Sequence, residues 1–260
     1  MTNDFIVIAG TCQWEPGYTK KAFEYIYNDA YDNGLHNNLV LKASFDKANR
    51  TNIDGARGCG LEFVVESLAE QGKEYGVKTL TDVHESFQPE LINNRIDVLQ
   101  VPALLSRQTD LLLATRENAN YINVKMGQWM GPDDVAGILS KVGDDETVWI
   151  TYRGTAFGYN RLVVDFTQFQ MIKDKHPNIK MIFDATHSVQ IPGGNGTSSG
   201  GNRDLVDGLV SAAVAQGYVD GVFLETHPEP AKAQSDGPNS VTSTQFRDIM
   251  YNINILKGLL

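Results

Sequence analysis

The sequence predicts a single-domain α/β protein, a (β/α)8 TIM barrel spanning residues 1–260. Three observations predict it. Short β-branched runs recur eight times along the chain, and helix-patterned stretches separate them. The length of 260 residues is close to the roughly 250 that one such barrel takes.

The runs, in order, are FIVIAG (5–10), NLVLKAS (38–44), KTLTDV (78–83), VLQVPA (98–103), YINVKM (121–126), TVWITYRG (147–154), KMIFDAT (180–186) and VDGVFLET (219–226). Together they are rich in β-branched and other apolar residues, as buried parallel strands require. Between them, AFEYIYNDAYDNG, LEFVVESLAEQGKEYG and LVDGLVSAAVAQG place apolar residues at i, i+3 and i+4 and finish on glycine. That is an amphipathic helix with a C-terminal stop. Strand and helix alternating eight times is the count that closes a parallel barrel. A doubly wound open sheet is the alternative, but no G-x-G-x-x-G follows the first run. No linker or composition break divides the chain. The longest polar stretch, GGNGTSSGGNR (193–203), follows the seventh run, where a barrel carries an active-site loop. A mobile lid is expected there.

Composition narrows the function. Hydrophobic residues make up 42%, enough for a large core, and the net charge is −10. An acidic surface repels nucleic acid and anionic membrane, so neither is an expected partner. An anionic substrate would need cations gathered in a cleft. Two cysteines, Cys12 and Cys59, make no disulfide framework. No apolar run approaches the roughly 20 residues of a membrane span, and the N-terminal segment lacks the basic region of a signal peptide. A soluble, reduced, cytoplasmic protein is expected.

Catalytic groups of a barrel come from the C-terminal ends of several strands. At or just past those ends stand Cys12, Lys42 with Ser44, Asp82 with His84, Gln100, Lys125, Arg153, His187 and Glu225. Charged side chains are seldom buried unless paired or functional, and a full ring of them is hard to explain structurally. Lys42, Lys125 and Arg153, with Lys47 nearby, imply a multiply charged anion, for which phosphoenolpyruvate is suited. The alternative pairs these cations internally with Asp82 and Glu225. A second group, Cys12, His187, Glu225 and the downstream Asp236, offers S, N and O donors. In a closed barrel the last strand pairs with the first, so these donors share one arc of the mouth. Their mixture suits Mn²⁺, Fe²⁺, Co²⁺ or Zn²⁺ better than Mg²⁺. His227 is a competing imidazole, expected in the loop as a contributor to the pocket.

Seven segments, KASFDKANR (42–50), TDVHE (81–85), QVPALLSRQTDLL (100–112), INVK (122–125), RGTAFGYNRLVVDF (153–166), DATHSVQIPGG (184–194) and ETHPEP…SDGP (225–238), resemble 3-deoxy-D-manno-octulosonate 8-phosphate synthase. The resemblance implies condensation of phosphoenolpyruvate with D-arabinose 5-phosphate and water, within lipopolysaccharide biosynthesis. It implies that Lys42, Ser44, Lys47, Gln100, Ala103, Lys125 and Arg153 contact phosphoenolpyruvate. Asn49, Arg50 and Asp82 would hold the sugar phosphate, with Arg50 reaching a neighbouring subunit's site. Lys47, Asp82 and Lys125 are the expected catalytic groups. A homotetramer is implied too. Cys12 stands where the metal-dependent branch has cysteine and the metal-free branch asparagine. The chain departs from the family after KANR, where serine-serine-isoleucine-histidine is usual and Thr51, Asn52, Ile53 and Asp54 stand here. A phosphate contact by the Thr51 hydroxyl is expected to survive, and Asp54 to oppose the phosphate. Trp14 is expected to reshape the rim, and Cys59 to be a structural or incidental thiol and not a ligand. Two other readings are a related synthase using erythrose 4-phosphate and a non-catalytic sugar-phosphate-binding barrel. The first usually carries lysine-proline-arginine-threonine where this chain has KANRT. The second predicts losses among the strand-end residues, and none is seen.

Overall fold

The computed structural model describes residues 4–50, 53–157, 161–191 and 200–259. Eight parallel strands close a barrel in chain order: Ile6–Gln13, Leu39–Ser44, Lys78–Asp82, Val98–Val101, Tyr121–Lys125, Val148–Tyr152, Lys180–Asp184 and Gly221–Glu225. The first strand pairs with both the second and the eighth. A closed barrel leaves no strand edge exposed.

Side chains alternate between the barrel interior and the helix layer. The outward set joins the helices in one large core that includes Val7, Leu41, Leu99, Val124, Ile150 and Leu224. The inward set forms a second cluster of Ile6, Ile8, Val40, Leu80, Val98, Trp149, Ile182 and Phe223. Each inward position two or four residues further along is polar or glycine: Gly10, Lys42, Asp82, Gln100, Asn123, Thr151, Asp184 and Glu225. The interior therefore changes from apolar to charged on moving toward the C-terminal mouth.

The expected helices form. Helix Thr19–Asp32 turns Ala22, Phe23, Ile26 and Ala30 inward, and Leu61–Tyr75 does so with Val64, Val65 and Leu68. Gly76 ends the latter at φ 67°, a left-handed conformation that glycine adopts without a Cβ penalty. Gly10 has a different reason to be glycine. It is the register partner of Lys42 on one side and Glu225 on the other. A Cβ there would lie 1.8 Å from the Lys42 carbonyl oxygen. The close strand approach brings the Lys42 and Glu225 side chains together across it.

Several details differ from the expectations. The first strand runs on to Gln13, through a register irregularity after Gly10, because Gln13 pairs with Ser44. Cys12 is thus inside the strand rather than beyond it. The seventh strand stops at Asp184, whose side chain caps a short helix, Ala185–Ser188, by accepting the His187 backbone N–H. After the sixth strand, Thr155–Phe157 and Arg161–Val163 pair antiparallel. Trp14 is buried and packs edge-on against Phe23 and Phe63, so it belongs to the core and not to the rim. Most of the expected lid, residues 193–199, lies outside the described residues; Gly200–Gly201 pairs with Gln190–Ile191. Among the described residues no helix is long and apolar enough to cross a membrane.

Candidate active site

The C-terminal mouth opens on a cavity of about 960 Å³. Its lining includes Lys42, Lys47, Asn49, Arg50, Asp82, Gln100, Ala103, Lys125, Arg153, His187, Glu225 and Asp236. Residues from all parts of the chain are thus gathered at one end, as the strand-end reading requires. Ser44 lies below, buried against Asp82. Thr51 lies outside the described residues.

The lysines are not free, which corrects the preference for unpaired cations. Lys42 Nζ donates to the Cys12 carbonyl at 2.6 Å and sits 3.2 Å from Glu225 Oε1. Lys125 Nζ lies 2.5 Å from Asp184 Oδ2 and 3.5 Å from the centre of the Phe223 ring. Lys47 Nζ is 4.0 Å from Asp82 Oδ2. A buried charge is tolerated only with a partner, so pairing is what lets cations stand here at all. It does not remove their use. Each lysine carries more N–H donors than these contacts consume, and Arg153 spends one Nη2 donor on Gln190 Oε1 at 2.7 Å while its buried Nε has no partner.

Protonation follows from burial and neighbours. Burial pushes Asp82 up, but Lys42, Lys47 and His84 outweigh it and hold the carboxyl well below the ordinary value. Asp184 behaves alike, with His187 and Lys125 overcoming burial. Burial lowers Lys125 more than Asp184 restores it. Lys47 goes the other way: burial is outweighed by Cys12, Glu225 and Asp82, and its ammonium is held above the usual range. Burial also pushes the Cys12 thiol well up, with Glu225 and Asp236 adding to it.

Cys12, Glu225 and Asp236 each place a ligand atom within 4.8 Å of the others, one site among the described residues able to hold a metal ion. Cys12 Sγ donates to Asp236 Oδ2 at 3.0 Å. His187 Nε2 lies 3.6 Å from Glu225 Oε1, and its Nδ1 is 2.8 Å from Asp184 Oδ2. A carboxylate behind one ring nitrogen is the usual support of a metal-binding histidine. Glu225 Oε2 is buried with no partner. An orphaned carboxylate oxygen beside a thiol, an imidazole and a second carboxylate fits a divalent transition ion.

Arg50 has partners within its own chain, with Nη1 donating to Ser235 Oγ at 2.8 Å and Nη2 to the Gln234 carbonyl at 3.2 Å. One residue falls elsewhere than expected. His227 does not line the cavity. The Glu229 N–H donates to its Nδ1, Glu15 lies 3.5 Å from its Nε2, and Tyr18 stacks on the ring, so it braces the loop after the eighth strand. Cys59 is exposed and away from the mouth, as expected. The structure adds residues that strand-end reading missed. Asp184 holds both Lys125 and His187. Gln190 joins Arg153 to Asp236 Oδ1, at 3.0 Å from the latter. Phe223 forms the floor beneath Lys42, Lys125 and His187. An acid at an inward position of the seventh strand was the available signal for Asp184.

Residues 2–256 match the model of a family described as DAHP synthetase I. The chain is 48% identical over 227 residues to a protein of Nitrobacter hamburgensis named 2-dehydro-3-deoxyphosphooctonate aldolase, covering 86% of this chain and 78% of the relative. A protein of the same name from Bradyrhizobium sp. is 46% identical over 256 residues, 97% of this chain and 88% of its own length. A third so named, from Citrifermentans bemidjiense, is 48% identical over 230 residues, with 88% and 83% covered.

The Asp184 pairing can be tested by pH. Asp184→Asn leaves Lys125 buried without its anion, and breaking such a pair typically costs about 3–5 kcal/mol. The Asp184 carboxyl is depressed in the folded state, so its contribution is full above the unfolded value of about 4 and is lost as pH falls through the lower folded value. Urea unfolding should show the largest gap between wild type and variant at neutral pH, narrowing below about pH 4. A gap independent of pH would contradict an ionic role for Asp184.

Proposed function

The chain belongs to the DAHP synthetase I family, and from that premise we propose that its barrel mouth joins phosphoenolpyruvate to D-arabinose 5-phosphate and water, releasing 3-deoxy-D-manno-octulosonate 8-phosphate and inorganic phosphate. The observation that carries this is the convergence of Lys42, Lys47, Lys125 and Arg153 on one cavity of an acidic protein, in a chain whose relatives are named 2-dehydro-3-deoxyphosphooctonate aldolase. It is an enzyme of the carbon–carbon bond-forming kind.

The reaction needs two anions held side by side. Phosphoenolpyruvate takes the cations of the deep mouth, with Gln100, Ser44 and Ala103 around it. Arabinose 5-phosphate takes the outer part, where Asn49 and Arg50 are half-buried or exposed and line the same cavity. The third carbon of phosphoenolpyruvate then attacks the aldehyde carbon, water adds to the second carbon with a proton passing to the aldehyde oxygen, and phosphate leaves as the bond between the second carbon and its bridging oxygen breaks. Positioning two reactants this way supplies several kcal/mol of the barrier. Lys47, Lys125 and Arg153 stabilise charge on the phosphoenolpyruvate oxygens. Asp82, ionised between Lys42 and Lys47, holds sugar hydroxyls or moves a proton.

We place the chain in the metal-dependent branch. Cys12, His187, Glu225 and Asp236 would hold the ion, and the orphaned Glu225 oxygen supports that reading. A bound Mn²⁺, Fe²⁺, Co²⁺ or Zn²⁺ supplies Lewis acidity to the aldehyde or to water. A homotetramer belongs to the same reading and rests on the resemblance alone, whereas a cytoplasmic location rests on the composition and the N-terminal segment.

Phosphate release from phosphoenolpyruvate, assayed across a panel of aldose phosphates, tests the acceptor: arabinose 5-phosphate should give the highest kcat/KM. Better turnover of erythrose 4-phosphate would assign the chain to the other synthase, and no release with any sugar would favour a binding protein. For the metal, protein stripped with a chelator should be inactive and should recover on addition of one of the four ions, whereas Cys12→Ala should not recover. Full activity after verified metal removal would make Cys12 a plain thiol.

A further inference from the structure

One row of the barrel interior is filled with polar side chains, and the functional reading explains Asp82 and Gln100 in it but not Asn123 and Thr151. Asp82 and Gln100 are register partners on the third and fourth strands, and Gln100 and Asn123 are partners on the fourth and fifth. Gln100 Nε2 donates to Asp82 Oδ1. Asn123 Nδ2 donates to Gln100 Oε1 at 2.8 Å. Thr151, on the sixth strand, donates from Oγ1 to Asn123 Oδ1 at 2.6 Å. Asn123 and Thr151 are fully buried, and Gln100 is 3% exposed. Such interior layers are ordinarily filled by branched apolar residues, and buried polar groups are unfavourable unless each has its partner.

The direction of the row is set from one end. Asp82 is a carboxylate, which only accepts. Gln100 must therefore present its NH₂ to Asp82, which turns its carbonyl toward Asn123. Asn123 must answer with its own NH₂, which turns its carbonyl toward the sixth strand. A donor is then required at position 151, and the threonine hydroxyl supplies it. Valine has the same shape and supplies none. The other groups facing Asp82 are Ser44, which donates to its second oxygen, and the cations Lys42 and Lys47 with His84.

We infer that Asn123 and Thr151 are positioning residues: through Gln100 they fix the carboxylate of Asp82 in the orientation the reaction uses. The inference rests on the functional reading above, in which Asp82 acts on the sugar. Neither residue lines the cavity, so neither is a catalytic residue. If the Thr151 donor is removed, the Asn123 carbonyl is left buried and unpaired, and the pressure to rotate both amides passes along the row to Asp82. A group misaligned for the transition state while the substrates still bind lowers kcat more than it raises KM.

The experiment compares Thr151→Val and Thr151→Ser with wild type in steady-state phosphate release, varying phosphoenolpyruvate and arabinose 5-phosphate in turn. Thr151→Val should lose about tenfold in kcat, with each KM changed about twofold or less. Thr151→Ser, which keeps the hydroxyl, should restore kcat to within about twofold of wild type. Equal kcat in Thr151→Val and wild type, or a Thr151→Ser variant as slow as Thr151→Val, would overturn the inference, as would a loss seen only in thermal stability. Should Thr151→Val fail to fold, Thr151→Ala removes the same donor with less steric demand and is read by the same criteria. Wild-type turnover separates the two claims. Its absence would overturn the functional reading, whereas its presence beside an indifferent Thr151→Val would overturn the row alone.

Discussion

Taking an ion out of water costs several kcal/mol in a protein interior, and the barrel meets that constraint by burying its charges in pairs. Lys125 sits on Asp184 and Lys42 on Glu225, all four nearly or fully buried. Everything else at the mouth depends on this. Asp184, ionised, accepts from the His187 ring nitrogen as well as from Lys125, and Lys125 stands over the Phe223 face with that anion beside it. The pairs leave the site close to balanced before substrate arrives, in a protein whose net charge is −10. Attraction of an anionic substrate thus comes from the local arrangement of donors, in opposition to the field of the whole chain.

The same pairs link two halves of the site that sequence reading treated separately. Asp184 touches Lys125, which we propose binds the anion, and the histidine of the candidate metal group. Glu225 touches Lys42 and also belongs to that metal group. Gln190 repeats the pattern by bridging Arg153 and Asp236. Gly10 makes room for one of these links, since a Cβ there would strike the Lys42 backbone between the two partners.

Much of this was legible in the sequence. Eight β-branched runs with amphipathic segments between them gave the barrel, and the strand ends gave Lys42, Asp82, Gln100, Lys125, Arg153 and Glu225 as one mouth. Reading ends alone hid the layer beneath. Asn123 and Thr151 lie within runs that look like uniform strand, and only the alternation of faces shows that they point inward among apolar neighbours. Asp184 was hidden because the strand stops there and its side chain turns to cap the next helix. Trp14 and His227 looked like rim residues from their position after strands, but tertiary packing against Phe23 and Glu15 decided their fate. Arg50 could not be placed from sequence, because nothing local reveals that Ser235 and Gln234 lie within its reach.

On the function we propose, the cations of the mouth are held ready by buried carboxylates and receive phosphoenolpyruvate without leaving them. A crystal structure of the protein with phosphoenolpyruvate bound tests it most directly. The ligand's phosphate and carboxylate should lie among Lys42, Lys47, Lys125 and Arg153, with Lys125 still hydrogen-bonded to Asp184 and Lys42 still beside Glu225. Lysines swung off their carboxylates to reach the ligand, or the ligand bound away from these four residues, would contradict it.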